Sequence, residues 1–413
     1  MDVELIAIGD EIVSGHTIDT NTPYMARRLA NIGLEVAYKT SVGDHLPRLE
    51  EAFHQALRRS DLIITSGGLG PTDDDITKRA IVKVFKRNLI FHENVLEDLK
   101  RRFADRGIEM PAINQNQALL PQGATHLANR IGSAIGIVIA ENQKVFVSLP
   151  GVPREMQIIL DEELIPYLKS HIKLQNIRVI RLRTTGIFES SLAEKFQPLP
   201  KIPDFVHLAY LPSYCGVDLR ITAVNDNVEK ADQAADAVAA ELRKAAGGYI
   251  YGEEDDTLEI VIGRLLAQRG ERLAVAESCT AGILAAKITD VPGSSEYFDR
   301  GVVTYSNQSK TELLGVPEKI IEKHGAVSAE VAEAMATGVR QRSGTDYGVS
   351  ITGIAGPEGG TEEKPVGTVY IAVASKKGTK SQLLKLTKDR EINRHRAAYA
   401  ALEMLRKTIL GIE

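Results

Sequence analysis

The sequence predicts an α/β protein: two three-layer α/β domains with mainly parallel sheets, joined by a small α+β module. Strand and helix patterns alternate over residues 1–170 and again over residues 253–413, as in parallel sheets that are covered by helices. Residues 171–252 instead carry shorter strands in which apolar and polar residues alternate, a pattern typical of a sheet with one solvated face. The length of 413 residues also exceeds what one ordinary core supports.

The first domain opens with a buried strand, VELIAIG, and a helix that has Met25, Leu29 and Ile32 on one face. A second strand (LEVAYKTSV), a second helix (LPRLEEAFHQALRRS) and a third strand (DLIITSGG) follow. This βαβαβ order predicts a parallel sheet with helices on both faces. A hairpin over residues 136–153 and a helix over about 154–168 complete the domain.

The middle module, residues 171–252, has three strands (IRVIRLRTTG, VHLAYLPS and VDLRITAVN) and an Ala-rich helix that ends at Gly247 and Gly248. A polar linker, YGEEDDT, precedes the third domain. There, the strands LAVAE and GVVTYS alternate with helices, three further strands follow (YGVSITG, VGTVYIAVAS and KSQLLKLT), and a terminal helix runs through RAAYAALEMLRKTIL. We expect the strand in GVVTYS to cover residues 301–305.

The composition narrows the class of protein. Hydrophobic residues make up 43% of the chain and charged residues 25%, which is ordinary for a globular protein. The net charge of −5 gives no basic field for nucleic acid, and no apolar stretch reaches the roughly 20 residues that span a bilayer. Cys215 and Cys279 cannot form a disulfide framework. Without a visible signal peptide, we expect a cytoplasmic protein that does not bind membranes.

Small polar residues follow three strands of the third domain. Ser278 lies just after LAVAE, Tyr305 ends the next strand with Lys310 one helical turn later, and Thr352 opens the glycine-rich loop TGIAGPEGG. Ligands of open α/β sheets bind beyond the carboxyl ends of the strands. The sequence therefore predicts that these four side chains face one rim of the sheet.

A serine needs a neighbouring base before it can attack at neutral pH. This domain has two histidines. His324 follows a charged helix end and His395 lies in a basic helix, so both are poor candidates for that base. Lys310 could act only when neutral, which requires its pKa to fall by roughly 3 units, on the order of 4 kcal/mol. We expect burial beside Tyr305 to supply part of this shift. We also expect Ser278 to start a helix, where backbone N–H groups face a developing oxyanion.

Each residue also has a simpler interpretation. Ser278 could be a helix N-cap and Lys310 a solvated helix residue. The glycine-rich loop could be flexible or could hold an anion. Arg390 and Arg394 could be a solvated helix start or phosphate contacts. Cys279 carries a thiol, the better intrinsic nucleophile, so the pattern alone leaves it open as the attacking group.

Four segments together resemble the nicotinamide mononucleotide (NMN) amidohydrolase domain of the CinA family: VAESCTAG, VVTYSNQSK, SITGIAGPEGG and KDREINRHRAA. The resemblance implies hydrolysis of NMN to nicotinate mononucleotide and ammonia, with no cofactor. It makes Ser278 the nucleophile, Lys310 the base and Tyr305 an assisting hydroxyl. This chain has Ala281 where the family commonly has glycine. The positions implied to line the substrate site are Cys279, Thr280, Gly282, Thr352, Gly353, Gly356, Arg390 and Arg394, with Cys279 a bystander to the chemistry.

A second constellation lies in the first domain, in TSGGLGPTDDD and GDEIVSGHTIDTN. The glycines let a phosphate approach the backbone at a helix start. Three consecutive carboxylates, Asp73, Asp74 and Asp75, would repel a phosphate unless a divalent cation lies between them. Asp10, Glu11 and the nearby Asp19 add carboxylates at the same rim. The alternative is that the acidic run only complements a helix dipole.

IAIGDEIVSG, TSGGLGPTDDD and LPGVPREM resemble the MoaB/MogA-like molybdopterin-binding fold, and the domain order is similar to that of full-length CinA proteins. The resemblance implies an ADP-ribose pyrophosphatase that needs Co, Mg or Mn and yields AMP and ribose 5-phosphate. Simple binding of a nucleotide or pterin is the alternative. The implied nucleotide-binding residues are Gly9, Asp10, Glu11, Asn21, Ser66, Gly67, Gly68, Gly70 and Thr72. The implied metal ligands are Asp10, Asp73, Asp74 and Asp75.

The middle module resembles the KH-type segment of the same family. An RNA-binding KH module uses a GXXG loop, whereas TTGIFES contains a single glycine, Gly186. We therefore expect a spacer or dimer-forming role, a homodimer and no nucleic acid partner. A non-enzymatic role in competence or DNA damage would predict a basic stripe or an exposed aromatic platform, but the net charge is negative and tryptophan is absent.

Overall fold

The computed structural model describes residues 1–72, 75–174, 176–197 and 201–412. The chain forms two compact units. One comprises Met1–Arg178 with Val224–Ala231, and the other comprises Val179–Ala223 with Asp232–Glu413. Most of the middle module therefore belongs to the same unit as the C-terminal domain.

The N-terminal unit contains a six-stranded sheet in the order β2-β1-β3-β8-β7-β6. Strands β2, β1, β3 and β8 are parallel, whereas β7 and β6 are antiparallel. Strands β4 and β5 form a separate antiparallel pair. The strands are β1 (Val3–Ile8), β2 (Val36–Val42), β3 (Leu62–Ser66), β4 (Leu89–Phe91), β5 (Leu119–Pro121), β6 (Thr125–Leu127), β7 (Gly136–Glu141) and β8 (Lys144–Leu149).

Apolar clusters lie on both faces of this sheet, because alternate residues of a strand point to opposite sides. Ile6 of β1 packs into one cluster and Leu5 into the other. The expectation of helices on both faces is therefore confirmed, although the sheet is mixed. The helices are α1 (Asp10–Val13), α2 (Asn21–Ala30), α3 (Leu46–Arg59), α4 (Thr77–Val84), α5 (Glu93–Asp105), α6 (Pro153–Ile159) and α7 (Ile165–His171).

Two details of this unit differ from the sequence prediction. Ile32 lies beyond the end of α2, so only Met25 and Leu29 are buried from the predicted helix face. The helix predicted over 154–168 is divided into α6 and α7 by a π-helical turn, Leu160–Leu164. A 3-10 helix, Ala112–Ala118, also lies in a region for which the pattern predicted no element.

The middle module has a four-stranded sheet in the order β10-β11-β9-β12. Strand β11 alternates buried and half-buried residues along its whole length, as the pattern predicted. The elements are β9 (Ile177–Thr184), α8 (Glu189–Lys195), β10 (Val206–Pro212), β11 (Val217–Val224), α9 (Val228–Ala246) and β12 (Ile250–Glu253).

The C-terminal domain has a five-stranded sheet in the order β14-β13-β15-β16-β17. The first three strands are parallel and the last two antiparallel. The strands are β13 (Leu273–Glu277), β14 (Phe298–Val303), β15 (Tyr347–Gly353), β16 (Thr368–Ser375) and β17 (Gly378–Lys385). The helices are α10 (Leu258–Arg269), α11 (Ile283–Thr289), α12 (Asn307–Leu314), α13 (Glu318–His324), α14 (Ala329–Ser343) and α15 (Arg390–Leu410).

The strand predicted over 301–305 is displaced. Strand β14 runs from Phe298 to Val303, so Tyr305 lies in the connection that leads into α12. Within the described ranges, no helix has both the length and the apolar character needed to cross a bilayer.

Candidate active sites

The serine of the C-terminal site lies on a turn between β13 and α11. The backbone N–H of Ser278 donates to the carbonyl of Ile351 on the neighbouring strand, at 3.0 Å. Helix α11 begins only at Ile283 and has Gly282 as its N-cap. The prediction that Ser278 starts this helix is therefore wrong, and its hydroxyl is not used as a helix cap.

A buried carboxylate that the sequence reasoning overlooked fixes this turn. Glu277 is 1% exposed, and its carboxylate accepts the backbone N–H groups of Gly282, Leu284 and Ala285 at 2.8–3.1 Å. Ala281 has a φ of 50°, and Gly282 has a φ of 100°. The chain thus reverses sharply just before the helix, and Glu277 takes the place of a side-chain cap. The available signal was an acidic residue at the end of an otherwise apolar strand.

Lys310 projects from the first turn of α12 into the interior and is 1% exposed. Its Nζ lies 3.1 Å from the Oγ of Ser278 and donates to the carbonyl of Thr304 at 2.8 Å. Burial lowers the pKa of the Lys310 amine. No ion pair joins this amine to a carboxylate among the residues that the structure describes. The predicted serine–lysine contact is therefore present in the geometry.

The two residues after the serine carry backbone donors that lack a partner among the described residues. Neither the N–H of Cys279 nor that of Thr280 donates to another described residue of the chain. The Thr280 hydroxyl is also buried without a partner. Burial raises the pKa of the Cys279 thiol to about 11, which disfavours the thiolate that the alternative nucleophile would need.

Two arginines of α15 reach the same region. Arg390 donates to the carbonyl of Gly356 at 2.8 Å and to the hydroxyl of Tyr305 at 3.3 Å. Arg394 donates through Nη2 to the carbonyl of Thr280 at 2.9 Å, and its buried Nε has no partner. Two guanidinium groups therefore converge on the serine turn and the glycine-rich loop.

Tyr305 does not occupy the position that the sequence reasoning gave it. Its side chain is 62% exposed, so it cannot be the source of the burial around Lys310. Its hydroxyl is hydrogen-bonded to Arg390. The structure therefore groups Tyr305 with the arginines at the rim.

Hydrogen bonds and close packing fix the glycine-rich loop. Thr352 donates its hydroxyl to the carbonyl of Ala326 at 2.8 Å, so this predicted site hydroxyl is already committed to the backbone. A Cβ on Gly353 would lie 2.6 Å from Val369. The fully buried Asn393 donates to the carbonyl of Ala355 at 2.9 Å. Asn393 is a second residue that the sequence reasoning overlooked.

In the N-terminal unit, the glycine loop after β3 requires its glycines. Gly67 and Gly68 have φ values of 123° and 64°, and a Cβ on Gly67 would lie 2.1 Å from the carbonyl oxygen of Ile8. Asp75 accepts the N–H groups of Gly70 and Thr72 at 2.7 and 2.9 Å, and also the Thr72 hydroxyl. Both oxygens of this predicted metal ligand therefore bind its own loop.

Carboxylates meet at the end of β1. The N–H of Asp10 donates to the carboxylate of Asp44 at 3.0 Å, and the N–H of Asp44 donates to that of Asp10 at 3.1 Å. Burial, and then the charges of Asp10, Glu11 and Asp75, raise the pKa of Asp44. The sequence reasoning overlooked Asp44, which follows β2. The predicted rim carboxylate Asp19 instead accepts the N–H groups of Asn21 and Thr22 at the start of α2.

The fit of a metal ion here is partial. Oxygen-only ligands under mutual repulsion suit a hard divalent cation. Yet within the described ranges no three His, Cys, Asp or Glu side chains are arranged to hold a metal ion. Asp73 and Asp74, two of the predicted ligands, lie outside the described residues.

Asn21 joins two strand ends at this rim. Its Nδ2 donates to the Ser66 hydroxyl at 2.9 Å and to the carbonyl of Gly151 at 2.8 Å. Its Oδ1 is buried and has no partner. A ligand hydroxyl or amino group could satisfy this acceptor.

A buried lysine also lies close to the glycine loop. Lys78 donates to the side-chain oxygen of Gln117 at 2.9 Å and to the carbonyl of Asn116 at 3.1 Å. Gln117 in turn donates to the carbonyl of Leu69 at 2.8 Å. Burial lowers the pKa of Lys78 to about 8. The sequence reasoning missed both side chains, because neither TKRAIVKV, which contains Lys78, nor PAINQNQA, which contains Gln117, carries a familiar phosphate-binding pattern.

The packing of Gly9 completes this rim. A Cβ on Gly9 would lie 2.4 Å from a carboxylate oxygen of Glu11. The N–H of Gly9 donates to the carbonyl of Val42 at 3.0 Å, and so ties the start of α1 to β2. The predicted residues Gly9, Asp10 and Glu11 therefore do lie beside the end of β2.

Comparison with known proteins identifies three regions. Residues 255–409 match the family model of the CinA C-terminal domain, residues 4–170 that of the "Probable molybdopterin binding domain", and residues 180–252 that of the damage-inducible protein CinA KH domain. The chain is 44% identical to a CinA-like protein of Gemmatimonas aurantiaca, over 98% of this chain and 96% of that protein.

A second relative is similar over the full length of the chain. A CinA-like protein of Rippkaea orientalis is 42% identical, over 99% of this chain and all of the other. Among solved structures, the competence/damage inducible protein CihA from Agrobacterium tumefaciens is 37% identical. That match covers 37% of this chain and 95% of the other, with a TM-score of 0.35.

Proposed function

This chain belongs to the CinA family, and on that premise we propose that its C-terminal domain hydrolyses the carboxamide of NMN to nicotinate mononucleotide and ammonia. The observation that carries the proposal is the Lys310 amine, buried and 3.1 Å from the Ser278 hydroxyl. A buried amine without a carboxylate partner is the form of lysine that can act as a base.

In the proposed reaction, neutral Lys310 takes the proton of Ser278 while Oγ attacks the carboxamide carbon. The carbonyl oxygen becomes an oxyanion that the N–H groups of Cys279 and Thr280 stabilise. Lys310 then returns the proton to the departing amine, which leaves as ammonia, and an ester remains on Ser278. Water activated by the same amine hydrolyses the ester, which releases the carboxylate and restores the serine.

The hydrogen bond from Lys310 to the carbonyl of Thr304 supports this role. Because one N–H of the neutral amine donates to that carbonyl, the nitrogen is held in place and its lone pair can point towards the Ser278 hydroxyl. The arginines support binding of an anionic substrate, since the guanidinium of Arg394 has a buried Nε that lacks a partner. Tyr305 lies against Arg390 and would act at the phosphate end of the substrate.

Ammonia release from NMN tests this function. We expect Ser278→Ala and Lys310→Met each to lower kcat by about a thousandfold or more, because the nucleophile and its base act as one unit. Cys279→Ala is the matched control and should retain activity within about threefold. Loss of activity in the Cys279 variant with retention in the Ser278 variant would assign the nucleophile to the thiol.

We further propose that the N-terminal unit cleaves ADP-ribose to AMP and ribose 5-phosphate. The observation that favours it is the convergence of the glycine loop with the reciprocal Asp10–Asp44 contact. Asp10 and Asp44 would hold a divalent cation, which would neutralise the diphosphate. Asn21 would accept a hydrogen bond from the ribose or the base, and the amides of the glycine loop would face the phosphates.

AMP release from ADP-ribose, measured with Mg, Mn or Co and with a chelator, tests this second activity. We expect Asp44→Asn to reduce turnover by about a hundredfold. ADP-ribose that binds without being cleaved would identify a binding domain instead. A protein that releases neither ammonia from NMN nor AMP from ADP-ribose would favour an interaction role.

A further inference from the structure

We infer that Glu277 is a positioning residue for the amide hydrolysis, because its carboxylate holds the serine turn open so that the two amides after Ser278 face the substrate. This inference rests on the proposed function of the C-terminal domain. It concerns a residue that does not itself touch the reacting atoms.

The carboxylate of Glu277 binds three backbone N–H groups. One oxygen of Glu277 accepts the N–H groups of Gly282 and Leu284, and the other accepts that of Ala285. These are the first amides of α11, which lack partners within the helix. A buried carboxylate that accepts three N–H groups is strongly bound, since hydrogen bonds to a charged acceptor are about twice as strong as neutral ones.

This capping determines the conformation of the serine turn. Because Glu277 satisfies the helix from outside, the chain between Ser278 and α11 does not need to cap it. Ala281 and Gly282 take up positive φ values, and the N–H groups of Cys279 and Thr280 are left without acceptors. The available donors thus follow from the position of the carboxylate.

The backbone of Glu277 is also connected to the proposed base, Lys310. The main-chain carbonyl of Glu277 accepts the N–H of Thr304 at 2.7 Å. The carbonyl of Thr304 in turn accepts the Lys310 amine at 2.8 Å. The side chain of Glu277 therefore anchors the turn that carries the nucleophile, while its backbone anchors the residue that orients the base.

A purely structural cap would behave differently from a positioning residue. Loss of such a cap would lower thermal stability and leave the chemical step unchanged. Thr257 offers the matched comparison, since its hydroxyl caps α10 by accepting the N–H of Ile260 at 3.4 Å. Helix α10 carries no residue of the proposed site.

The test compares the parent protein with Glu277→Gln, Glu277→Asp and Thr257→Ala. In Glu277→Gln, the side-chain NH2 would face backbone donors, so the turn should relax. We expect kcat for NMN to fall by about a hundredfold or more, as for loss of an oxyanion donor. KM should change much less than kcat, because Arg390 is bound to the carbonyl of Gly356 in the glycine-rich loop and not to the serine turn. The midpoint of the pH profile of kcat/KM should be the same as in the parent protein, because Lys310 remains buried.

Glu277→Asp, which keeps the charge but has a shorter reach, should show an intermediate loss of kcat. Thr257→Ala should lower the Tm and keep kcat. The inference is overturned if Glu277→Gln keeps kcat within threefold of the parent. It is equally overturned if Thr257→Ala, at a similar Tm, loses as much activity.

Amide hydrogen exchange separates this inference from the proposed function. A parent protein that releases no ammonia from NMN would refute the function. The inference about the turn would then be decided by a peptide covering residues 278–286. Much faster exchange there in Glu277→Gln than in Thr257→Ala supports the anchoring of the turn, and unchanged exchange refutes it.

Discussion

Ala281 adopts a left-handed backbone conformation, with φ of 50°, three residues after the serine. For a residue with a Cβ, this conformation costs roughly 1–2 kcal/mol. Ala281→Gly should therefore raise the free energy of unfolding by about 0.5–1 kcal/mol, after the greater chain entropy of glycine is subtracted. Thermal unfolding checks this expectation, and a lower Tm in the variant would contradict it.

Cys279 allows a second prediction at the level of a single residue. Its thiol is 6% exposed, and burial raises its pKa to about 11. Alkylation by iodoacetamide near pH 8 should therefore leave Cys279 unmodified in the folded protein and label it after denaturation. Mass spectrometry of the peptides measures the labelling of Cys279 in the folded and in the denatured protein. Rapid labelling in the folded state would show that the thiol is reactive.

Much of the C-terminal site was predictable residue by residue. The contact between Ser278 and Lys310 follows from the rule that parallel strands end at one rim, together with the spacing of the segments. The roles of Glu277 and Asn393 did not follow, because their function is to bind backbone groups that only the folded loop brings within reach. Tyr305 was placed too deep because strand β14 ends two residues earlier than its apolar pattern indicated.

At the scale of elements, helix α12 directs Lys310 into the interior, and this burial determines how the proposed activity should depend on pH. Burial lowers the pKa of Lys310 from 10.5, and the neutral amine is the base in the proposed reaction. We expect kcat/KM for NMN to rise with pH through this lowered pKa and to level off above it. A profile measured from about pH 5 to about pH 10 tests this, and a rate that falls over the whole range would contradict it.

The same shift has a consequence for stability. The unfolded lysine holds its proton up to a higher pH than the folded one does. Between the two pKa values the unfolded state binds more protons, so this group makes the folded protein more stable as pH rises through that window. Lys310→Met should remove that part of the pH dependence in chemical denaturation.

The connection between β3 and α4 is the comparable element of the N-terminal unit. Asp75 binds two amides and a hydroxyl of the glycine loop. Asp75→Ala should lower the free energy of unfolding of this unit by about 1–2 kcal/mol, since a charged acceptor is lost. The order of elements was predictable here from the βαβαβ rhythm. The antiparallel pairing of β7 and β8 was predicted as a hairpin, but β6 was not predicted, since its three residues are too few to show an apolar period.

At the scale of the whole molecule, the division of the chain into two units predicts how it unfolds. Most of the middle module belongs with the C-terminal domain. Calorimetry should therefore resolve two transitions, with the middle module melting together with the C-terminal domain. A third, separate transition for the middle module would contradict this. Sedimentation would show whether the expected homodimer forms.

The two proposed activities should respond separately to substitution. Ser278→Ala should abolish ammonia release and leave AMP release unchanged, whereas Asp44→Asn should do the reverse. Parallel assays of both products on each purified variant measure this. A single variant that loses both products at unchanged Tm would contradict two independent sites.

Gly186 lies where the middle module meets the terminal helix. The loop that carries it lies against the terminal helix: a Cβ at Gly186 would lie 3.8 Å from Glu403. Glu403 is itself held by the buried Arg406, whose guanidinium also donates to the carbonyl of Gly248. Because 3.8 Å is an ordinary van der Waals distance, a small side chain at position 186 would touch α15 without displacing it. The φ of 71° at Gly186 is therefore the stronger reason for glycine at this position.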